Sequence, residues 1–331
     1  MRPIFITGAG GFLGRHLVEQ LKQGGAGGRL RLLCRGASRF DGDPDVEVAW
    51  GDITSAHDVE RAIEGAGFVY HLAGFVSRDR RDRDRLFATH VDGTRHVCEA
   101  ALKHGIDKIV VVSSSGTIAV SREPVVHEET SGYKHEIVAR WNYYLSKIFA
   151  EKAALSFFDR GLPVVVVNPA LLLGPGDDRG SSTGDVSLFL DGQILSMPRG
   201  GMSFVDVRDA AQGAIAAMRA GRPGERYLLG GPNWTFRRVI QQLSELSGRR
   251  PPLYEVPLRL SQAGASVLRR VFPLVGRRFD LDNETIEMSA HFWYCNSAKA
   301  AGELGFRTRD PRRTLEDTIE DIRRRRPAGP R

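Results

Sequence analysis

Thr7-Gly8-Ala9-Gly10-Gly11-Phe12-Leu13-Gly14 is the stretch that decides how the rest of the chain reads. An apolar run, Pro3-Ile4-Phe5-Ile6, enters it, and a helical pattern over residues 12–21 leaves it. The order is strand, glycine turn, helix N-terminus. A helix start carries unpaired N–H groups and a partial positive charge, which suits a pyrophosphate. Gly8, Gly11 and Gly14 remove side chains that would block phosphates or hold helix and strand apart. With Phe12 and Leu13 opening the helix, and a first strand just before, the stretch reads as a dinucleotide cradle.

Outward from that turn, the first half alternates strands and helices. Strands are predicted at 4–7, 30–34, 46–50, 68–72, 108–113 and 163–168, and helices at 12–23, 57–64, 86–104 and 140–159. This is the pattern of an α/β, doubly wound parallel (Rossmann) sheet covered on both faces. Unbroken runs such as Ile109-Val110-Val111-Val112 and Val164-Val165-Val166-Val167 fit central strands. After Pro169 the rhythm becomes turn-rich, at Gly174–Gly180 and Pro198–Gly201. Phe204-Val205-Asp206-Val207 with 208–219 reads as a strand and helix returning to the main sheet. The expected division is a dinucleotide-binding part, 1–169 with about 203–230, and a smaller, mostly helical substrate-binding part, 170–202 with 231–325. Residues 326–331 read as a frayed tail.

Composition narrows the setting. A chain of 331 residues with 41% hydrophobic content can bury a sizeable core. Met1-Arg2-Pro3 runs straight into the first strand, so no signal peptide is expected. The longest uncharged stretch, 162–176, is too short and too rich in Pro and Gly to span a bilayer. Cys34, Cys98 and Cys295 form no CxxC pair, which argues against a disulfide framework or zinc ribbon and for a reducing cytoplasm, with no metal. The net charge of +7 sits largely in Arg323-Arg324-Arg325-Arg326 and Arg331, while the run at 78–85 alternates sign. Both read as solvated faces or tails, so no nucleic-acid partner is expected.

The second predicted strand bears on the cofactor. It ends Leu32-Leu33-Cys34-Arg35, with Ser38 and Arg39 beyond and no carboxylate before Asp41. An acidic residue there selects NAD, whereas an arginine accommodates the 2′-phosphate of NADP. Arg35 and Ser38 therefore favour NADP, with NAD the alternative. Asp52, followed by Ile53 after the third strand, can accept from an adenine amino group or simply form a turn. Leu72, Ala73 and Gly74 end the fourth strand with small or apolar groups against which a dinucleotide can lie.

Tyr143-Tyr144-Leu145-Ser146-Lys147 supplies the candidate chemistry. Tyr143 and Lys147 are four apart on a helix and share a face, while Trp141, Leu145, Ile148 and Phe149 form a stripe pointing elsewhere. A phenol titrating near pH ~10 is a poor acid or base at neutrality. A neighbouring ammonium and a nicotinamide cation favour the phenolate. Lys147 would also hold the nicotinamide ribose. The fifth strand ends Ser113-Ser114-Ser115, where a hydroxyl can bond a substrate oxygen at the crevice.

Taken together, these motifs resemble the extended short-chain dehydrogenase/reductases of NAD-dependent epimerase/dehydratase type. The resemblance covers nearly the whole chain: residues 7–14, Gly51-Asp52, His71-Leu72-Ala73, Val91-Asp92-Gly93-Thr94, the serine run, Tyr143 with Lys147, Asn168-Pro169 and Phe204–Asp209. It implies Ser115 as catalytic serine, Tyr143 as acid/base, Lys147 as its partner, Pro169 beside the nicotinamide, and a homodimer through the Tyr143 helix. The family's Asn before Val91-Asp92-Gly93-Thr94 is His90 here, which reads as a satisfied core histidine.

The same resemblance divides by substrate. Nucleotide-sugar members carry an arginine just before Phe-Val-x-Val; here Met202 stands there, and Asn168–Gly174 is similar to the dihydroflavonol-reductase and 3β-hydroxysteroid-dehydrogenase branch. A buried diphosphate needs cationic partners. Phe75, Phe189, Met197 and His291-Phe292-Trp293-Tyr294 are candidates for an apolar pocket. The leading expectation is an NADP(H)-dependent reductase of a carbonyl, or the reverse alcohol dehydrogenase, on a hydrophobic small molecule. The alternatives are a nucleotide-sugar epimerase or dehydratase, with Arg199 or Arg179 gripping the diphosphate, and a non-enzymatic NADP-binding regulatory subunit. Residues 258–275 read as a lid or core helix, or as a membrane or partner surface.

Overall fold

The structure, a computed structural model, describes residues 2–24, 29–275 and 281–326. Its first part runs β1 (Ile4–Thr7), α1 (Phe12–Gln23), β2 (Leu30–Cys34), β3 (Val46–Trp50), α2 (Ala56–Ile63) and β4 (Phe68–His71). Then come α3 (Arg83–Phe87), a π-helical turn (Ala88–Asp92), α4 (Gly93–Lys103), β5 (Lys108–Val112), β6 (Val126–His127), α5 (His135–Val138) and α6 (Asn142–Phe158). The second part runs β7 (Val164–Pro169), β8 (Leu171–Leu173), α7 (Gly184–Leu190), β9 (Gly201–Asp206), α8 (Val207–Ala220), β10 (Arg226–Leu229) and β11 (Asn233–Thr235). It closes with α9 (Phe236–Ser247), α10 (Leu258–Val271), α11 (Asn283–Met288), β12 (Phe292–Cys295), α12 (Ala298–Leu304) and α13 (Pro311–Arg325).

Seven strands form the main sheet in the order β10-β7-β5-β4-β1-β2-β3. Every pairing in it is parallel, with Ile6 opposite Leu32 on one side and Tyr70 on the other. Val164 to Val167 are all fully buried, as a strand covered on both faces requires. One face packs the apolar sides of α1 and α8, with Leu17, Val18, Ala210 and Ala214; the other packs α2, α4 and α6, with Val59, Val97 and Ala154. The strand order reverses between β1 and β4, which opens a crevice at the carboxyl ends of those strands.

Two sequence expectations change. The strand at 204–207 does not return to the main sheet: β9 lies in a second sheet, ordered β11-β9-β12-β6 with β8 also on β9. Only its following helix returns, and β10 takes the place beside β7. The single helix expected over 86–104 is interrupted by the π-helical turn, which widens one turn around the buried His90. The smaller part is thus helices arranged on a five-stranded sheet, with Leu173, Phe204, Trp234, Ile240 and Leu315 in one core.

The arginine-rich C-terminus is also less free than its composition implied. Arg323 bonds the Ser247 carbonyl at 2.8 Å, Arg325 pairs with Asp321 at 2.9 Å, and Arg326 pairs with Asp191 at 2.9 Å. The first and last of these fasten the end of α13 to the ends of α9 and α7, while the pair with Asp321 lies within α13 itself. Residues 327–331 of the expected tail lie outside the described residues.

Candidate active site

The glycine turn ends β1 and starts α1. Gly8 takes a left-handed φ of +77°, and a Cβ there would stand 2.6 Å from the Ala73 nitrogen. At Gly14 a Cβ would stand 2.1 Å from the Gly8 carbonyl oxygen. Gly11 is the N-cap of α1 and makes no side-chain cap bond, so the helix start faces the crevice bare. These residues fit a dinucleotide: strand, turn and helix meet through backbone contacts that a side chain at Gly8 or Gly14 would break.

Behind the cradle runs a chain of bonds with fixed direction. Ala73 N donates to Thr7 Oγ1 at 3.2 Å, and Thr7 Oγ1 lies 2.7 Å from His71 Nδ1. His71 Nε2 lies 3.0 Å from Thr94 Oγ1, and Thr94 donates to the His90 carbonyl. Because Thr94 spends its proton on that carbonyl, it accepts from His71 Nε2–H, and Nδ1 accepts from Thr7. Burial, with Lys147 adding to it, pushes the His71 pKa down to about 3, so the ring stays neutral. The chain joins β1, β4 and the π-helical turn.

His90 is 1% exposed and saturated. Phe75 N donates to its Nε2 at 3.2 Å, which leaves Nδ1–H to donate to Ser146 Oγ at 2.8 Å. Ser146 in turn donates to the Tyr143 carbonyl at 2.8 Å. Burial and the nearby Lys147 keep the ring neutral, well below the ordinary histidine range. His90 also meets the Tyr143 ring edge-on at 5.7 Å. It is a core histidine that ties α6 to the segment after β4.

On α6, Lys147 is buried and donates to the Val112 carbonyl at 3.1 Å. One turn on, Glu151 accepts from Ser113 at 2.6 Å and Asn168 at 2.8 Å, and pairs with Arg226 at 3.3 Å. Burial lowers the Lys147 pKa to about 8, against the opposing pull of Glu151. Burial also raises Tyr143, to about 12. That is opposite to the direction expected from a neighbouring ammonium, because desolvation of the phenolate governs the shift.

A cavity of about 920 Å³ joins these parts. Gly8, Gly11, Phe12, Leu13, Gly14, Leu72, Gly74, Ser113, Ser115, Tyr143, Lys147 and Pro169 all line it. Arg35, Ser38, Asp52, Ile53 and Ala73 are not in its wall. Asp52 Oδ1 accepts from Thr54 N at 2.9 Å, a turn-forming role, and its Oδ2 lies 3.8 Å from Arg35. Ile53 is buried against Gly93, and Ser38 Oγ accepts from Phe40 N at 3.2 Å.

Among the pocket aromatics, Phe75 and Trp293 line the cavity, as does Met197. Phe189 is buried in the smaller core instead, and His291, Phe292 and Tyr294 are outside the wall. The stripe of α6 divides: Trp141 and Ile148 pack with Trp293, whereas Phe149 is exposed.

Sequence reasoning missed the polar end of the cavity. Arg78 belongs to the sign-alternating run expected to be solvated, yet it turns inward and pairs with Asp185 at 3.4 Å. Nearby Glu284 is raised to about 7 by burial and then by Asp282. No local pattern marks this cluster, since its members come from three distant segments. Glu151 was accessible, being four residues after Lys147 on the same helix.

An open parallel sheet with a bare helix start at its switch point, facing a Ser–Tyr–Lys set, defines a nicotinamide-dinucleotide enzyme. The chain belongs to the NAD dependent epimerase/dehydratase family, whose model matches residues 4–230. It is an NAD(P)-dependent enzyme of the extended short-chain dehydrogenase/reductase type. It is 32% identical over 323 residues to a Synechocystis sp. protein provisionally named dihydroflavonol 4-reductase, covering 95% of this chain and 93% of that one. Sterol demethylase protein B of Methylococcus capsulatus is 32% identical over 329 residues, covering 97% and 98%. The crystal structure of gox2253 superposes with a TM-score of 0.82 at 28% identity over 98% of both chains. Among the described residues no helix is long and apolar enough to cross a membrane.

Proposed function

We propose that this protein is an NADP(H)-dependent oxidoreductase that reduces the carbonyl of a hydrophobic small molecule. One observation carries the reading: Ser115, Tyr143 and Lys147 open onto the same cavity as the glycine cradle, and its far wall is apolar, with Leu171, Leu173, Ile194, Met197, Val239 and Leu243. The dinucleotide supplies hydride when bound on Gly8–Gly14. Tyr143 gives its phenolic proton to the carbonyl oxygen, and Ser115 donates a hydrogen bond to that oxygen. Lys147 would hold the ribose hydroxyls, and its ammonium would favour the phenolate left after the transfer, which regains its proton from water.

Arg35 is 62% exposed at its side chain beyond β2, with only a loose contact to Asp52, and supports a 2′-phosphate. A sugar diphosphate fits less well. Met202 lines the wall where a cation would be needed, and Arg15, Arg78 and Arg199 are each paired with a carboxylate, Asp178, Asp185 and Glu255, which leaves Arg179 as the wall arginine a diphosphate would have to use. In this reading residues 1–169 with about 203–230 serve the cofactor, and 170–202 with 231–325 the substrate. The buried free thiols Cys34, Cys98 and Cys295 support a reducing cytoplasm, and the exposed Phe149 on α6 supports a homodimer.

The test is NADPH or NADH consumption against a panel of hydrophobic ketones and aldehydes. Tyr143→Phe is expected to lower turnover about 10²–10⁴-fold without moving the melting temperature. Equal turnover in wild type and variant rejects the mechanism; sugar-nucleotide isomerisation without net oxidation favours the epimerase.

A further inference from the structure

α10 carries two apolar stripes. Ala265 and Leu268, with Phe272 beyond the helix end, face inward and pack near Leu281 and Ile286. The second stripe faces solvent: Leu260 is 63% exposed, Val267 57% and Val271 45%, and Ala263 is exposed among them. At ~100° per residue these four fall within an arc of about 80°. Leu274 continues the spacing just beyond the helix, and Leu253 and Tyr254 are exposed just before it. Arg259 and Arg270, eleven residues apart, lie together along one flank of the stripe. Both are exposed, and among the described residues neither is paired with a carboxylate. Behind this face, Val256, Leu258 and Ser261 of the same segment line the large cavity.

We propose that the outer face of α10 docks the protein onto an anionic lipid bilayer. An apolar stripe left exposed among the described residues and flanked by fixed cations is complementary to acyl chains beneath anionic headgroups. At 14 residues the helix is too short to span, so it lies in the interface. A second copy of the chain is a poorer occupant, because an antiparallel two-fold contact through this stripe would set Arg259 against Arg270 of the second copy and Arg270 against its Arg259. Docking in this way sets the cavity wall at 256–261 directly behind the membrane surface, which suits an apolar ligand that partitions into lipid.

The experiment is co-sedimentation of the full chain with phosphatidylcholine vesicles, with and without phosphatidylglycerol, alongside light scattering. Wild type is expected to bind the phosphatidylglycerol vesicles and to release as salt rises. Arg259→Gln with Arg270→Gln is expected to weaken that binding about tenfold. Leu260→Ser with Val267→Ser and Val271→Ser is expected to abolish it, with unchanged circular dichroism. Absence of wild-type binding, or binding that neither set of substitutions alters, overturns the proposal. A dimer that the serine substitutions dissociate, with no vesicle binding, assigns the face to a second copy instead and equally overturns it. The assay reads no turnover, so its outcome is independent of the proposed activity.

Discussion

The two halves of the molecule line one cavity by opposite means. The seven-stranded half presents bare backbone, backed by neutral groups whose bonds have one direction, from Ala73 through Thr7, His71 and Thr94 to His90. The smaller half presents an apolar wall, with Leu171, Ile194, Met197 and Leu243, edged by charges: Asp185, which Arg78 of the first half reaches across to pair with, and the half-buried Glu284. A neutral, saturated network keeps its geometry across the working pH range, because neither histidine titrates there. A cluster of partly solvated charges responds to pH and to what enters the cavity. In the proposed reading the first seats the cofactor and the second edges the apolar wall that meets the substrate.

The largest way to break this contrast is Gly14→Ala. A methyl 2.1 Å from the Gly8 oxygen forces the helix away from the strand. A cost of about 3 kcal/mol or more is expected, against about 1 kcal/mol gained in helix propensity. Denaturant unfolding reads the cost and NADPH fluorescence titration reads loss of binding. Gly10→Ala, with no protein neighbour within 4 Å, is the control for stability: it leaves unfolding unchanged, while its methyl in the cavity wall is expected to weaken NADPH binding.

Next is His90→Ala, which leaves Phe75 N and Ser146 without their buried partner and opens a void. We expect a loss of about 2–4 kcal/mol by urea unfolding, with His90→Asn recovering part of it. Full stability in His90→Ala would mean that the bonds through its ring do not hold the site together.

The smallest effect concerns pH. The Glu284 pKa is raised from 4.5 to about 7, so the folded state prefers the protonated acid. Its contribution to stability is fully present below about pH 4.5 and is lost as pH rises through about 7. Glu284→Gln is therefore expected to flatten the fall in stability between pH 5 and 8 by about 1–2 kcal/mol, after allowance for solvent screening. Thermal melts across that range check it; an unchanged slope places the acid in water.

Much of the first half was readable because its causes are local. The Gly8–Gly14 turn, the valine runs of β5 and β7, and the four-residue spacing of Tyr143 and Lys147 each act within one element or at its junction. The bounds of β1, β2, β3 and α1 coincide with those read from the residues. The interruption of the helix around His90 was not readable, since it depends on a partner at Ser146 and another at Phe75.

By itself, then, the sequence determined the parallel sheet, the bare helix start and the helix face that carries Tyr143, because period, glycine placement and burial are written residue by residue. Only the tertiary structure decided the rest. It assigned β9 to a second sheet, turned Arg78 inward, and closed the smaller sheet from short strands at 126–127, 171–173, 201–206, 233–235 and 292–295. Strands of two to six residues carry too little pattern to choose partners; which ones meet is decided by the packing of helices laid down far away in the chain.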